Sequence, residues 1–166
     1  VELAIHGIPE FALTDIEIRR TGKSYSIDTV RAIQQEYGPA TSLFFIIGLD
    51  AFLDLPSWKE ADLLLKTCDF VVISRPSTRF LTLASVPFFH EVPRDKLEAL
   101  DAATQSRADV PLADGRTLTF LRLPPCDSSA SEIRARLRDG RPLANLLPPL
   151  VESYILREWL YREDGE

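Results

Sequence analysis

Three nearly continuous apolar runs are the most regular pattern along the chain. Residues 43–47 and 70–74 contain few polar side chains, which is typical of strands buried on both faces of a parallel sheet. Residues 117–123 form a third run and predict a further strand. Glycine or proline follows each run within two residues. We therefore expect three strands in one sheet.

Apolar residues at helical spacing predict a helix over residues 24–37. Ile27, Val30 and Ile33 fall on one face, and hydroxyl and acidic side chains, among them Asp28, begin the segment. A glycine-proline pair then ends it.

Three further segments have the features of helices. Residues 58–66 contain consecutive leucines at 63–65, which we expect to pack inward. In residues 129–137, Ser129 and Glu132 have the capping-box spacing of a helix N-terminus. Residues 148–161 predict an amphipathic helix whose apolar side contains Val151, Tyr154, Ile155 and Trp159. Strands that alternate with helices in this way indicate parallel βαβ units and an α/β fold.

Two regions are less regular. Residues 11–19 alternate apolar and polar side chains and predict a half-exposed strand near a sheet edge. Residues 77–116 contain three prolines, which predict an irregular excursion from the sheet with one helix near 94–103. We expect an α/β core over residues 1–123, including this excursion, and a C-terminal helical segment over 124–166.

Composition limits the possible functions. The chain has 166 residues and 45% hydrophobic content, enough for one domain with a sizeable core. Its formal charge of −6 argues against nonspecific binding of nucleic acid. Cys68 and Cys126 are far apart and, with only two histidines, match no metal-binding spacing. Without a membrane-length apolar run or a signal peptide pattern, a cytoplasmic protein with no membrane partner is expected.

The first residues of the sequence bear on the length of the protein. The chain contains no methionine, and residues 1–5 resemble the end of a helix that is already under way. We therefore expect that these residues are part of a longer polypeptide.

Candidate chemistry begins where the first buried strand ends. Gly48 allows close approach of a backbone, and Asp50 can accept a hydrogen bond from a ribose hydroxyl. Ligands of open parallel sheets bind beyond the carboxyl ends of the strands, which is where these residues fall. A solvated turn after a strand would explain the same two residues.

A second candidate lies at the predicted helix start near residue 129. The N-terminus of a helix attracts anions, so Ser129, Ser131 and Arg134 would suit a phosphate chain. Ordinary helix capping explains the same serine-glutamate spacing.

Taken in order, these motifs resemble those of the bacterial nicotinate mononucleotide adenylyltransferases, a family of the nucleotidyltransferase superfamily with a Rossmann-like fold. Residues 24–30 resemble S-Y-T-x-D-T-L, residues 45–50 with Trp58 resemble F-I-I-G-x-D with its downstream tryptophan, and residues 70–76 resemble F-V-V-x-x-R-P. Residues 129–134 are similar to S-[ST]-T-x-I-R, although Ala130 and Ser131 depart from it.

The catalytic motif of this family has no counterpart in the sequence. The first strand and its G-G-x-F-D-P-x-H-x-G-H loop are absent, and neither His6 nor His90 has that context. We expect the catalytic histidines upstream of Val1 and expect this chain alone to be inactive. His6 and His90 are expected in exposed loops without a chemical role.

The resemblance implies adenylyl transfer from ATP to nicotinate mononucleotide, which yields nicotinate adenine dinucleotide and pyrophosphate in NAD biosynthesis. It implies that Trp58 stacks on the pyridine ring and that backbone amides near Tyr25 and Ser26 bind the nicotinate carboxylate. Mg²⁺ would accompany ATP, held mainly by its phosphates. The residues implied in ATP binding are Gly48, Asp50, Arg75, Ser129, Ser131 and Arg134.

Several alternatives remain open from sequence. The acceptor could be nicotinamide mononucleotide or phosphopantetheine, and the chain could be a noncatalytic nucleotide-binding or oligomerisation module. Homo-oligomers are possible. Trp58 could be a core anchor, Tyr25 could pack under the sheet, Asp50 could cap a helix and Arg75 could form a surface ion pair. Asp28 is expected to help begin its helix rather than to contact substrate.

Overall fold

The computed structural model describes residues 1–38, 40–112, 114–124, 129–143 and 146–161. Pro39, Pro125 and Cys126, which entered the sequence interpretation, lie outside these ranges. The elements formed by the described residues are α1 (Glu2–Ile5), α2 (Ser26–Tyr37), β1 (Phe44–Gly48), α3 (Leu49–Leu53), α4 (Ala61–Thr67), β2 (Asp69–Ile73), α5 (Arg94–Asp101), β3 (Arg107–Pro111), β4 (Thr117–Leu121), α6 (Ala130–Arg138) and α7 (Pro149–Arg157).

The chain divides into two compact units. The larger comprises Ile16–Pro125 and contains the sheet. The smaller comprises Val1–Asp15 and Cys126–Glu166, so the first fifteen residues group with the C-terminal helices. Its own small core is formed by Leu137, Leu143 and Ile155, against which Ile133, Leu147 and Val151 pack.

The sheet of the larger unit has the strand order β1-β2-β4-β3. Strands β1, β2 and β4 are parallel to one another, and β3 pairs with β4 in the antiparallel direction. All three predicted strands are present, which confirms the α/β class. The prediction that the first of them is buried on both faces is wrong, because Phe44 and Ile46 of β1 are 57% and 68% exposed. Strand β3 lies inside the predicted excursion and was not expected, because only two small or branched apolar residues, Ala108 and Val110, alternate there with polar ones.

One face of the sheet carries the main core. Phe52 of α3 is fully buried, and its ring lies 4.6 Å from Phe89, 5.9 Å from Phe70 and 6.1 Å from Phe120 between centroids. Cys68 is also fully buried, and burial raises the pKa of its thiol to about 12. The thiol is therefore neutral at physiological pH and packs as a small apolar group.

Residues 11–19 do not form the predicted strand. They adopt irregular structure and a turn, and Phe11, Leu13 and Ile18 are exposed. Alternation alone was misleading here, since a strand also needs backbone partners on a neighbouring strand.

Two helix predictions were only partly correct. The helix expected at 58–66 begins at Ala61, and of its three leucines Leu64 is buried whereas Leu63 is exposed. Consecutive helical residues point about 100° apart, so three in a row cannot share one face. Helix α7 ends at Arg157, which leaves Trp159 beyond it and 67% exposed. None of the helices in the described ranges is long and apolar enough to cross a membrane.

Candidate nucleotide site

A cavity of about 310 Å³ lies in the larger unit, where the start of α2 meets the turn that precedes α4. It is lined by Ser24, Tyr25, Ser26, Ser57, Trp58 and Lys59. The structure thus brings together all three residues predicted to bind nicotinate mononucleotide. Two aromatic side chains, three serines and one lysine line a space suited to a flat polar ring.

The backbone at the start of α2 supplies one wall of this cavity. Tyr25 is the N-cap residue, in an extended conformation, and its carbonyl oxygen accepts hydrogen bonds from the N–H groups of Asp28 and Thr29. A phenol ring at this position does not cap the helix. The amides of Ser26 and Ile27 precede the first hydrogen bond of the helix, as at any helix N-terminus. They can donate to an anion.

Trp58 supplies another wall of the cavity. Its indole is half-buried and packs edge to face against Phe45, with 6.2 Å between ring centroids and a 68° angle between the ring planes. Its backbone N–H donates to the Leu55 carbonyl oxygen at 2.9 Å. Trp58 is therefore both an anchor on the core and a wall of the cavity.

The sequence interpretation did not include Lys59 in this group. Its Nζ lies 2.9 Å from Oδ2 of Asp28 and 4.7 Å from the centre of the Tyr25 ring. The hydrogen bond from Lys59 is the main reason that the pKa of Asp28 lies below its ordinary value. Asp28 does lie in the first turn of α2, as expected, but it also joins that turn to the neighbourhood of Trp58.

A second group of predicted residues meets at the carboxyl ends of β1 and β2. Gly48 ends β1 opposite Ile73, and Arg75 follows two residues after that partner. The Nε of Arg75 donates to Oδ1 of Asp50 at 3.3 Å, and both side chains are more than half exposed. The ion pair considered from sequence exists, and its partner is another candidate ATP-binding residue.

Gly48 is needed for space rather than for backbone freedom. Its φ of −70° is ordinary for any residue. A Cβ at this position would lie 2.5 Å from Oδ1 of Asp50 and 2.6 Å from Nε of Arg75. Only glycine leaves room for these two side chains in their present arrangement.

The remaining predicted residues lie in the smaller unit, at the start of α6. Ser129 is the N-cap, and its Oγ accepts from the N–H of Glu132 at 3.1 Å, which confirms the predicted capping. The Glu132 carboxylate pairs with Arg136 at 2.7 Å, and this hydrogen bond lowers its pKa. Ser131 and Arg134 are exposed on this helix.

His6 and His90 are exposed outside helices and strands, as predicted. Nδ1 of His90 lies 3.0 Å from the carbonyl oxygen of Pro87. His90 also borders a cavity of about 450 Å³ whose apolar wall includes Phe89, Val92 and Leu118.

Comparison with known proteins identifies the family. Residues 3–136 match the cytidylyltransferase-like family. A "Probable nicotinate-nucleotide adenylyltransferase" of Geobacter metallireducens is 37% identical over 164 residues, which cover 99% of this chain and 73% of that protein. The chain belongs to the nicotinate-nucleotide adenylyltransferases. The resemblance predicted from four dispersed motifs is thereby confirmed.

Other nicotinate-nucleotide adenylyltransferases are similar over comparable lengths. A protein of the same name from Serratia proteamaculans is 39% identical and matches 98% of this chain and 70% of its own length. The relative from Moorella thermoacetica is 33% identical and matches 96% and 64%, respectively. This adenylyltransferase chain thus spans about two thirds to three quarters of the length of the relatives it matches.

A solved structure confirms the fold class. The structure of "Plasmodium falciparum nicotinic acid mononucleotide adenylyltransferase complexed with APC" aligns with 85% of this adenylyltransferase chain and 60% of its own, with a TM-score of 0.55 and 18% identity. At that identity the likeness concerns the fold, which is the predicted nucleotidyltransferase fold.

The described part of this adenylyltransferase has no metal cage of its own. Within those ranges no group of three or more His, Cys, Asp or Glu side chains is close enough to bind a metal ion. Asp50, which follows the carboxyl end of β1, forms an ion pair with Arg75.

Proposed function

We propose that this chain supplies the substrate-binding residues for adenylyl transfer from ATP to nicotinate mononucleotide, which yields nicotinate adenine dinucleotide and pyrophosphate. The observation that carries the proposal is the cavity shared by Tyr25, Ser26 and Trp58. Membership of the family supports the choice of reaction. ATP is made and used in the cytoplasm, where we infer that the reaction takes place.

The nicotinate half of the acceptor fits the chemistry of the cavity. The indole face of Trp58 would stack on the pyridine ring, a contact that uses its flat surface. The amides at the start of α2 would donate to the nicotinate carboxylate, and the helix dipole favours an anion there. A neutral carboxamide would gain less from the same dipole. This difference supports the acid over the amide as substrate.

The proposed ATP contacts fall into two groups. Asp50 would accept a hydrogen bond from the adenosine ribose beside Gly48, and Arg75 would border the adenine. At the start of α6, Ser129, Ser131 and Arg134 would bind phosphate oxygens, for which a guanidinium and helix amides are good donors.

The chemistry that these contacts serve is mainly alignment. A phosphate oxygen of nicotinate mononucleotide attacks the α-phosphorus of ATP in line, the new P–O bond forms, and the bond to the β-phosphate oxygen breaks to release pyrophosphate. No protein nucleophile is required, so the residues hold two anions in register and offset their charge. Mg²⁺ bound to the ATP phosphates would further reduce that charge, and the protein residues described above do not enclose it.

Calorimetric titration with the acid and amide mononucleotides tests the proposed acceptor without requiring turnover. We expect nicotinate mononucleotide to bind roughly 10-fold or more tightly than nicotinamide mononucleotide, because a charge-assisted hydrogen bond adds about 1.5 kcal/mol or more. Equal affinities would contradict the choice of the acid. Binding of ATP with Mg²⁺ but of neither mononucleotide would contradict the proposed acceptor altogether.

A substitution of Gly48 tests the proposed ATP contacts. In Gly48→Ala the new methyl group would displace the Asp50 and Arg75 side chains, and we expect ATP affinity to fall roughly 10-fold through loss of the hydrogen bond from the ribose to Asp50, worth about 1.5 kcal/mol. Thermal stability should change little, since both displaced groups are exposed. Nicotinate mononucleotide affinity, measured on the same sample, is the internal control. If ATP affinity were unchanged, Asp50 and Arg75 would not belong to the ATP site.

A further inference from the structure

Four charged side chains connect the two walls of the 310 Å³ cavity. Lys59 Nζ lies 2.9 Å from Asp28 Oδ2, and Arg31 Nη2 lies 3.0 Å from Glu60 Oε2. Two longer contacts of 4.0 Å, Arg31 to Asp28 and Lys59 to Glu60, close the set. We call Asp28, Arg31, Lys59 and Glu60 the ion-pair clamp. It joins the first turns of α2 to the segment that follows Trp58.

Lys59 connects the clamp directly to an aromatic wall. Its ammonium lies over the face of Tyr25, 4.7 Å from the ring centre, while it is also bonded to Asp28. A cation over an aromatic face attracts the ring and limits its motion. Because Lys59 follows Trp58 in the chain, one side chain restrains both walls of the cavity.

Glu60 shows that this segment is held in a specific conformation. Its φ of 52° and ψ of 44° lie in the left-handed region, which is unfavourable for a residue with a Cβ. Such residues persist where surrounding contacts hold them, and they are frequent at ligand clamps. The Arg31 guanidinium binds the Glu60 carboxylate, and the Glu60 carbonyl oxygen accepts from the N–H of Leu64 as α4 begins.

Stability alone gives little reason for such an arrangement. All four side chains retain between 29% and 47% exposure, and exposed ion pairs contribute little to folding. Their two short contacts join the two chain segments that carry the rings. The hydrogen bond from Lys59 lowers the pKa of Asp28, because it favours the charged carboxylate.

We propose that the ion-pair clamp positions Tyr25 and Trp58 at the separation that admits the pyridine ring, with Lys59 as its central positioning residue. The inference rests on the proposed function for the identity of the ligand. It extends that function to Asp28, Arg31 and Glu60, which are not among the residues that line the cavity. Loss of the clamp should therefore affect the mononucleotide and leave ATP binding unchanged.

The parent protein for the test is the whole chain with the substitution Trp159→Phe. Of the two tryptophans in the sequence, the parent keeps only Trp58, so its fluorescence reports on that residue. Lys59→Gln and Asp28→Asn each break the 2.9 Å pair, and Lys59→Arg keeps a cation for both Asp28 and Tyr25. Arg94→Gln is the matched control, since it breaks an equally short surface pair with Glu98 in the same unit.

Two measurements are made on each variant: fluorescence anisotropy decay of Trp58 in the free protein, and the dissociation constants of nicotinate mononucleotide and ATP. We expect Lys59→Gln and Asp28→Asn to increase the local motion of Trp58 and to weaken mononucleotide binding about three- to tenfold. ATP affinity should stay the same, and Lys59→Arg and Arg94→Gln should resemble the parent.

The two readouts separate failure of the clamp from failure of the proposed function. Suppose that the parent binds the mononucleotide, and that Lys59→Gln and Asp28→Asn show the same mononucleotide affinity and the same Trp58 motion as the parent. The proposed role of the ion-pair clamp would then be wrong. If the parent does not bind the mononucleotide, the proposed function fails, and Trp58 motion in the free variants still decides whether the clamp holds the wall.

Discussion

Replacing Trp58 with alanine is expected to weaken nicotinate mononucleotide binding roughly 10- to 100-fold. Stacking of a heteroaromatic ring on an aromatic side chain is worth about 1–3 kcal/mol, and Trp58 lines the cavity together with Tyr25 and Ser26. The dissociation constant is measured by calorimetry, with ATP affinity measured in parallel and expected to change little.

Two variants make the interpretation specific. Trp58→Phe keeps a flat ring and should lose less affinity than Trp58→Ala. Trp159→Ala removes an indole that is 67% exposed in the smaller unit, and mononucleotide affinity should not change. A Trp58→Ala protein that melts like the parent and binds the mononucleotide equally well would exclude stacking on this residue.

Replacing Phe52 with alanine is expected to lower the free energy of unfolding by about 3–5 kcal/mol. The ring is fully buried, and it contacts Phe70, Phe89 and Phe120, so its removal leaves a cavity at the centre of the aromatic cluster. Urea denaturation followed by circular dichroism measures the loss, with a second probe to test for separate unfolding of the two units.

Phe44→Ala is the matched control for this effect. Phe44 lies on β1 but is 57% exposed, so the same change of side chain should cost less than about 1 kcal/mol. If the two phenylalanine variants lost equal stability, the assignment of the core to the Phe52 face of the sheet would be wrong.

The local elements were largely predictable because their signals are contained within short windows. Helix α2 has its apolar residues at helical spacing, and strands β1 and β2 are short continuous apolar runs. The same approach failed at residues 11–19 and missed β3. A strand exists only where another strand offers backbone partners, and a short alternating pattern does not contain that information.

The sequence predicted residues that line the candidate site but not the side-chain contacts among residues that are distant in the chain. Tyr25, Ser26 and Trp58 were selected by resemblance to family motifs, and the fold places them around one cavity. Lys59 was not selected, because its contact with Asp28 joins residues 31 positions apart. The sequence interpretation gave Asp28 only a local role in beginning its helix.

The sequence by itself determined the three parallel strands of the sheet, helix α2 and membership of the nicotinate-nucleotide adenylyltransferases. These follow from local periodicity and from motifs whose order is visible in one dimension. Tertiary structure alone decided the antiparallel edge strand, the need for space at Gly48 and the ion-pair clamp. Each depends on atoms that are far apart along the chain and become neighbours only when the sheet and its helices pack.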